Sequence, residues 1–342
     1  MSRRSLTLAI AGLATVVAIA VAALLPVPYV ILGPGPTLNT LGESSGQPLI
    51  KISGHPTYKT TGNLNLVTVS YQGGGSNTNI FQALRAWLDP SEAVVPETEL
   101  FPSGQSVQQT QAQDTEEMTG SQQAATAAAL TALHIPYQTL VTVISTVPGY
   151  PASTALKAGD VIEAVDGKAV DGQTSLSSMI TAHPVGTVLT LTVLRDGKTL
   201  TIPVASKASG GTAVIGVDAQ EQYKFPFTVS ISVGDIGGPS AGMMFALGII
   251  DKLTPLNLTG GKFIAGTGEI TAAGQVQPIG GIQQKMLGAR SAGATIFLTP
   301  AANCSDTTGA VPAGLRLVKV STLSQAMSDL EAIKAGKSVP SC

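Results

Sequence analysis

The sequence predicts a mixed chain, α/β in its C-terminal part and α+β taken whole. It comprises an apolar N-terminal helix, a small central β module and a C-terminal unit of alternating strands and helices. Three observations carry this. An uncharged run from Ser5 to Leu25 opens the chain, tight-turn signals punctuate short alternating runs over 138–207, and strand-like and helix-like apolar runs alternate from 213 onward. With 342 residues there is room for two or three domains with cores of their own.

Arg3 and Arg4 precede the apolar run, and Pro26 and Pro28 follow it. At 1.5 Å per residue the run spans roughly 30 Å, the hydrocarbon thickness of a bilayer. Residues 5–28 therefore read as a transmembrane anchor, with 1–4 as a cytoplasmic tail. Basic residues before the run and none just after it put the N-terminus inside and the bulk of a single-pass protein outside the cytoplasm. A cleaved signal peptide has a shorter apolar core, although the alanines here leave room for cleavage. A core helix of a soluble domain is rarely apolar on every face.

Charged residues make up 12% of the chain, hydrophobic ones 44%, and the net charge is -2 with no block of one sign. No basic face for nucleic acid follows from this pattern. His55, His134 and His183 all lie in the first 200 residues, which argues against a His-rich metal site and against a Ser-His-Asp triad in one compact C-terminal domain. No cofactor is expected. Cys304 and Cys342 are too far apart in sequence for a Cys-x-x-Cys pair. They are unrelated thiols in a reducing compartment, or a bridge pinning the C-terminal tail in an oxidising one.

Residues 29–137 form an N-terminal region expected outside the cytoplasm. Its start, 29–45, is rich in Gly, Pro, Thr and Asn (Gly33-Pro34-Gly35-Pro36) and reads as an exit linker. Leu64 to Tyr71 reads as a strand broken by Gly73-Gly74-Gly75-Ser76, and Asn79 to Leu88 as a short helix. The Gln-rich stretch 102–114 reads as a mobile loop and Glu116 to Leu133 as an Ala-rich helix. In the 138–207 module, Leu140 to Ser145 and Asp160 to Val165 read as strands, Ala155 to Ala158 as a helical turn and Ser175 to Ala182 as a helix. Val188 to Leu194 and Thr199 to Val204 form a hairpin. Ser206 to Thr212 reads as a Gly/Ser linker. Beyond it come a strand (Phe227 to Val233), an apolar helix (Ala241 to Leu253), and paired strands (Phe263 to Ile270, Gln275 to Ile279). A helix (Ile282 to Ala292), two strands (Thr295 to Leu298, Leu315 to Val320) and a closing helix (Leu323 to Lys334) follow.

Gly237-Gly238-Pro239-Ser240-Ala241-Gly242 runs straight into the apolar helix. A serine there sits beside unpaired amides and a partial positive charge suited to a developing oxyanion, so Gly238, Pro239 and Ala241 are the candidate oxyanion and substrate positions. Serine is also a favoured N-cap residue, and the motif needs a base to mean more than that. Lys285 follows in the next helix. At about 100° per residue, Ile282, Met286, Ala289 and Gly293 share one face, Lys285 lies on its edge, and Gln284 and Gly288 point away. A lysine at the rim of a buried face loses hydration and becomes a neutral base near pH 7, or else it snorkels to water. Thr267, between the two in sequence, could orient the amine, or be no more than a residue of good strand propensity.

The segment Gly238-Pro239-Ser240-Ala241-Gly242 resembles the nucleophile motif of the Lon protease proteolytic domain. Gly266-Thr267-Gly268-Glu269-Ile270-Thr271, with Pro278-Ile279-Gly280-Gly281 and Lys285, resembles that family's lysine motif. The resemblance is strong over about 230–305 and implies a Lon-type proteolytic domain over 213–342. It implies a Ser-Lys dyad of Ser240 and Lys285, with Thr267 orienting. The acid that often precedes the nucleophile motif in that family is Gly237 here, the nearest acid being Asp235. The module 138–207 resembles a PDZ domain of exported bacterial proteases through Leu156-Lys157-Ala158-Gly159-Asp160-Val161-Ile162 and Val165-Asp166-Gly167. Leu64 to Tyr71 and Met118 to Leu133 resemble the first strand and helix of a Lon proteolytic domain, which would make the PDZ an insertion.

Gly336-Lys337-Ser338 is similar to the end of a phosphate loop, but Glu331 stands where its first glycine is required and no strand precedes it, so no nucleotide site is read. Together these readings lead to an ATP-independent serine endopeptidase outside the cytoplasm. Its partners would be peptide or protein substrates and the membrane, with homo-oligomers as a family expectation. The rival is a non-catalytic membrane-anchored PDZ scaffold.

Overall fold

A computed structural model describes residues 3–44, 46–74, 78–101 and 105–342, and the chain falls into two compact units. The first joins residues up to 134 with residues 227–342, and the second spans 135–226. Residues 1 and 2 of the expected tail, residue 45 of the expected linker, residues 75 and 76 of the glycine break and 102–104 of the expected loop lie outside the described residues.

In the first unit an apolar helix, Arg3–Leu24, has no buried residue and is long enough to cross a membrane. A mixed six-stranded sheet follows, in the order Arg316–Val320, Ile296–Pro300, Phe263–Gly266, Asn63–Gln72, Tyr29–Asn39, Ala93–Pro96. The first four strands are mutually parallel, and the last two pair antiparallel. Alternate residues take opposite faces of a strand. Val67, Ala265, Phe297 and Leu317 pack against Ile282, Met286 and Ala289 of the helix Ile282–Ser291. Leu66, Ile264 and Leu298, also fully buried, lie on the other face, where the helix Gly242–Leu253 packs with Val107–Ala132 against it.

Several expectations for this unit are corrected. Residues 29–39 are no linker but an eleven-residue strand, Tyr29–Asn39, next to the centre of the sheet. Its prolines, which lack an amide hydrogen, are accommodated by a bulge between Pro34 and Thr37. Residues 107–114 are helical, because Ser106 caps Val107–Ala132 in a reciprocal capping box with Gln109. The run Phe263 to Ile270 is not one strand. It leaves the sheet after Gly266, and Glu269–Ile270 pairs with Val276–Gln277 in a separate ribbon.

The second unit is a β module of five main strands in the order Lys198–Ala205, Val188–Arg195, Val161–Val165, Gln138–Thr146, Val217–Lys224, with the helix Gln173–Thr181. Leu189, Leu191, Val193, Ile162 and Ile215 fill its core. Arg195 donates to both oxygens of buried Asp160 at 2.7 Å, holding that carboxyl below its usual range. The expected linker Ser206 to Thr212 is a hairpin, Lys207–Ser209 with Thr212–Val214. Its chain continues into Val217–Lys224, which pairs with Gln138–Thr146, so the unit ends near 226 rather than 207. The helical turn expected at Ala155 to Ala158 lies at Ala152–Ala155.

Cys304 and Cys342 form a disulfide. It ties the chain end to the 3-10 helix Ala301–Thr307, while Pro340 O accepts the Lys319 amide along the sheet edge. The bridge closes a sequence separation of 38 residues. Chain-entropy arguments give such a loop about 4 kcal/mol. Reductant should therefore lower the thermal midpoint of the wild-type protein, and a Cys304→Ser/Cys342→Ser variant should unfold at the same low temperature with or without it. Midpoints that match in all four measurements would remove the bridge from the stability of the fold.

Candidate active site

The loop 232–241 joins the strand Thr228–Ile231 to the helix Gly242–Leu253 and carries the candidate nucleophile. The helix Val107–Ala132 grips this loop. Gly237 lies so close to it that an added Cβ would sit 2.6 Å from Asp114 Cβ, which is why no larger residue fits there. The Gly238 amide donates to Asp114 O at 2.9 Å, and Ser121 Oγ donates to Pro239 O at 2.9 Å. On its far side the loop is fastened by the Ser240 carbonyl, which accepts from the Gly268 amide at 2.8 Å and Thr267 Oγ1 at 2.9 Å.

Ser240 is not the helix N-cap. That position belongs to Ala241, and no side chain caps the helix. The serine hydroxyl is therefore not consumed by capping, the use that most often explains a serine before a helix. Of the three oxyanion candidates, Gly238 spends its amide on Asp114 and Pro239 has none to give. The amides of Ser240 and Ala241 make no hydrogen bond among the described residues.

Gly281 turns the chain into the helix Ile282–Ser291 with φ 66°, a left-handed conformation that favours glycine, while packed against Val69. Asn303 braces this turn, accepting the Ile279 amide and donating to the Ile279 carbonyl, each at 2.9 Å. Lys285 lies one turn into the helix and is 4% exposed. The sequence placed it on the rim of a single apolar face, with Gln284 and Gly288 turned away. In the structure Gln284, Lys285 and Gly288 are all buried, because strands cover one side of the helix and the 3-10 helix Ala301–Thr307 approaches another.

Lys285 Nζ donates to Thr267 Oγ1 at 3.3 Å, and that same hydroxyl donates to Ser240 O. Burial alone pulls the amine down from 10.5 to about 8. Ser240 and Lys285 line one cavity of about 1150 Å³. Their Oγ and Nζ make no hydrogen bond to each other among the described residues; Thr267 links them instead. Glu99, Asp114, Asp235 and Asp306 line the same cavity. Burial raises Asp114, with a smaller push from Glu117. No group of three or more potential metal ligands is found among the described residues.

Asp114, Ser121 and Asn303 hold this site, and sequence reading did not find them. Asp114 and Ser121 sit in a long helix whose composition suggests only solubility, and nothing in sequence ties Asn303 to residue 279.

In the second unit, the helix Gln173–Thr181 and residues 213–219 enclose a groove of about 210 Å³ lined by Leu176, Ile180 and Ile215. Val217–Lys224 beside it is an edge strand of its sheet. An apolar groove along an open edge suits an extended peptide added as a further strand.

Residues 213–331 match the family model of the Lon protease (S16) C-terminal proteolytic domain, and residues 106–205 match that of the PDZ domain. The chain is similar to Lon protease 2 of Herpetosiphon aurantiacus, 38% identical over 103 residues, covering 30% of this chain and 12% of that protein. It is also similar to Lon protease 1 of Bacillus subtilis, 34% identical over 97 residues, covering 28% of this chain and 12% of that protein. The chain thus spans about an eighth of the length of these two relatives. Among solved structures it is similar to the PDZ domain of an SdrC-like protein from Listeria monocytogenes. The identity is 27%, the TM-score 0.22, and the match covers 23% of this chain and 85% of that one. This protein carries a Lon-type proteolytic domain and a PDZ domain behind an N-terminal apolar helix.

The buried amine has a cost that depends on pH. The unfolded chain holds the proton up to 10.5 and the folded chain only to about 8. Below the lower value both states are protonated and the folded state bears the whole desolvation cost. As pH rises through the window the folded state sheds its proton first, so stability rises, and above the upper value the cost is gone. A shift of this size corresponds to roughly 3 kcal/mol. Lys285→Met should therefore be more stable than wild type at pH 7, by ~1–3 kcal/mol, with the gap closing toward pH 10.5. Denaturant unfolding at the two pH values measures it, and a variant less stable than wild type at pH 7 contradicts the reading.

Proposed function

We propose that this protein is a membrane-anchored serine endopeptidase in which Ser240 is the nucleophile and Lys285 the general base. The observation that carries the reading is the buried lysine, its amine lowered to about 8 and bonded to a hydroxyl that fastens Ser240, in the cavity Ser240 also lines. A neutral amine available near neutral pH is what a serine nucleophile requires when no histidine serves it.

In the proposed reaction a side-chain rotation brings Lys285 Nζ from Thr267 to Ser240. Nζ takes the hydroxyl proton as Oγ bonds to the scissile carbonyl carbon. The resulting oxyanion accepts hydrogen bonds from the Ser240 and Ala241 amides. Collapse breaks the C–N bond, and the Lys285 ammonium protonates the leaving amine. A water, deprotonated by the amine thus regenerated, then attacks the acyl-enzyme and frees Ser240. Thr267 is a positioning residue that aims the amine and locks the Ser240 backbone.

A location outside the cytoplasm is supported by the disulfide, which persists in oxidising compartments, and by Arg3 and Arg4 ahead of the apolar helix. Independence of ATP is supported by Gly336-Lys337-Ser338, which follows a helix, Leu323–Lys334, where a phosphate loop would follow a strand. The groove at Ile215 supports recruitment of extended peptides by the PDZ domain. A scaffold that only binds peptides would have no use for a buried amine without a counter-charge, and for that reason the enzymatic reading is preferred.

Ser240→Ala and Lys285→Ala should each lower cleavage of an unfolded protein substrate by ~10³-fold or more, with kcat/KM of wild type rising with pH to a plateau above about pH 8. Wild-type turnover in either variant refutes the dyad, and absence of turnover in wild type on any unfolded substrate returns the scaffold reading. Ser177→Trp, at an exposed position lining the groove, should raise KM for peptides that occupy it and leave kcat unchanged. An unaltered KM separates the PDZ domain from substrate capture.

A further inference from the structure

The amphipathic character of the helix Ile80–Leu88 leads beyond the peptidase. Asn79 caps it in a reciprocal box with Gln82, so it starts at a fixed point. Ala83 and Ala86 are buried, whereas Phe81, Leu84, Trp87 and Leu88 face outward, Trp87 with 74% and Leu88 with 77% of its surface exposed. At about 100° per residue these four side chains fall within an arc of roughly 120°. A contiguous apolar stripe of this kind on a helix surface marks something that covers it.

The occupant is indicated by where the helix starts. The apolar helix Arg3–Leu24 ends at Leu24, and two residues on Pro26 forms a bridge with Asn79, the cap of the second helix. The Val27 amide donates to Thr78 O at 2.8 Å, and the two helices touch. Leu25 and Tyr29, also exposed, continue the apolar surface between them. If Arg3–Leu24 crosses the membrane, the capped end of the second helix is held at the membrane surface. Aromatic side chains such as Trp and Tyr favour that depth, and a short helix with one apolar face lies in the interface plane.

We propose that the helix Ile80–Leu88 docks on the lipid bilayer through Phe81, Leu84, Trp87 and Leu88, as a second membrane contact beside the anchor. This rests on the anchor reading given above. Its consequence concerns the cleft. Tyr29 begins the strand Tyr29–Asn39, and Leu32, three residues on, lines the cavity of Ser240 and Lys285. At about 3.3 Å per residue the cleft's near wall then lies roughly 10 Å from the lipid surface, where it would meet chain segments close to a membrane.

Trp87 is the only tryptophan of the chain, so its emission reports on this helix without labelling. The full chain is reconstituted into phosphatidylcholine vesicles and recovered by flotation. With brominated acyl chains in the vesicles the expected result is loss of more than half the emission, together with protection from iodide in the water. Leu84→Ser/Leu88→Ser should float equally well but lose most of the bromine quenching. Flotation with iodide quenching and no bromine quenching overturns the proposal while leaving the anchor intact. Flotation with neither quenching means that protein, such as a second copy of this chain, covers the face, and it overturns the proposal as well. Failure to float overturns the anchor reading and the docking proposal with it.

Discussion

The amine of Lys285 is buried with no carboxylate near enough to figure among the causes of its shift. A buried ammonium without a partner is costly, and the least costly response is to release the proton. Everything around the residue maintains that situation. Strands 63–72 and 29–39 cover one side of its helix, and Thr267 gives the amine a neutral hydroxyl in place of an ion. The cavity supplies carboxylates, yet none forms an ion pair with Lys285 among the described residues. A salt bridge here would raise the pKa and remove the neutral amine that the proposed role as a base requires.

The sheet that creates this burial is assembled from distant sequence. Asn63–Gln72 lies between Phe263–Gly266 and Tyr29–Asn39, so the wall beneath Lys285 comes from before the second unit and the lysine helix from after it. The interruption is tolerable because the second unit closes on itself. Its first and last strands pair with Gln138 opposite Lys224, which brings the two ends of a long insertion together. A unit whose termini meet can be placed in a loop without pulling its host apart.

Much of this could be read in sequence where local chemistry decides the outcome. Asn79 and Ser106 cap helices because their side chains satisfy free amides, and Asp166-Gly167 turns because both residues accept positive φ. The short helix at Asn79 to Leu88 is legible in the sequence, but the start at Ser106 is hidden by a Gln-rich run that resembles a loop. Tyr29–Asn39 does not show as a strand in the sequence because Gly and Pro signal breaks, whereas here a bulge absorbs the prolines and pairing on both edges holds the strand. The lysine helix defeated the 3.6-residue pattern for a different reason. Periodicity locates one buried face, and this helix is covered on more than one. The sequence placed Ser240 and Lys285 as candidates, but burial of the lysine is a property of the tertiary structure.

The braces of the site show why its two motifs do not suffice alone. Residues 213–342 contain Ser240, Thr267 and Lys285, but the loop bearing Ser240 is gripped by Asp114 and Ser121, and the lysine helix rests on Val69 through Gly281. The turn before that helix is fixed by Asn303, which neighbours Cys304 and so is tied to the chain end by the disulfide. A fragment with the motifs only would expose Lys285 on one side, restore its hydration and return it to an ordinary charged lysine. The buried amine thus belongs to no single segment: strands from before the second unit cover one side of its helix, and the 3-10 helix that the disulfide ties to Cys342 approaches another.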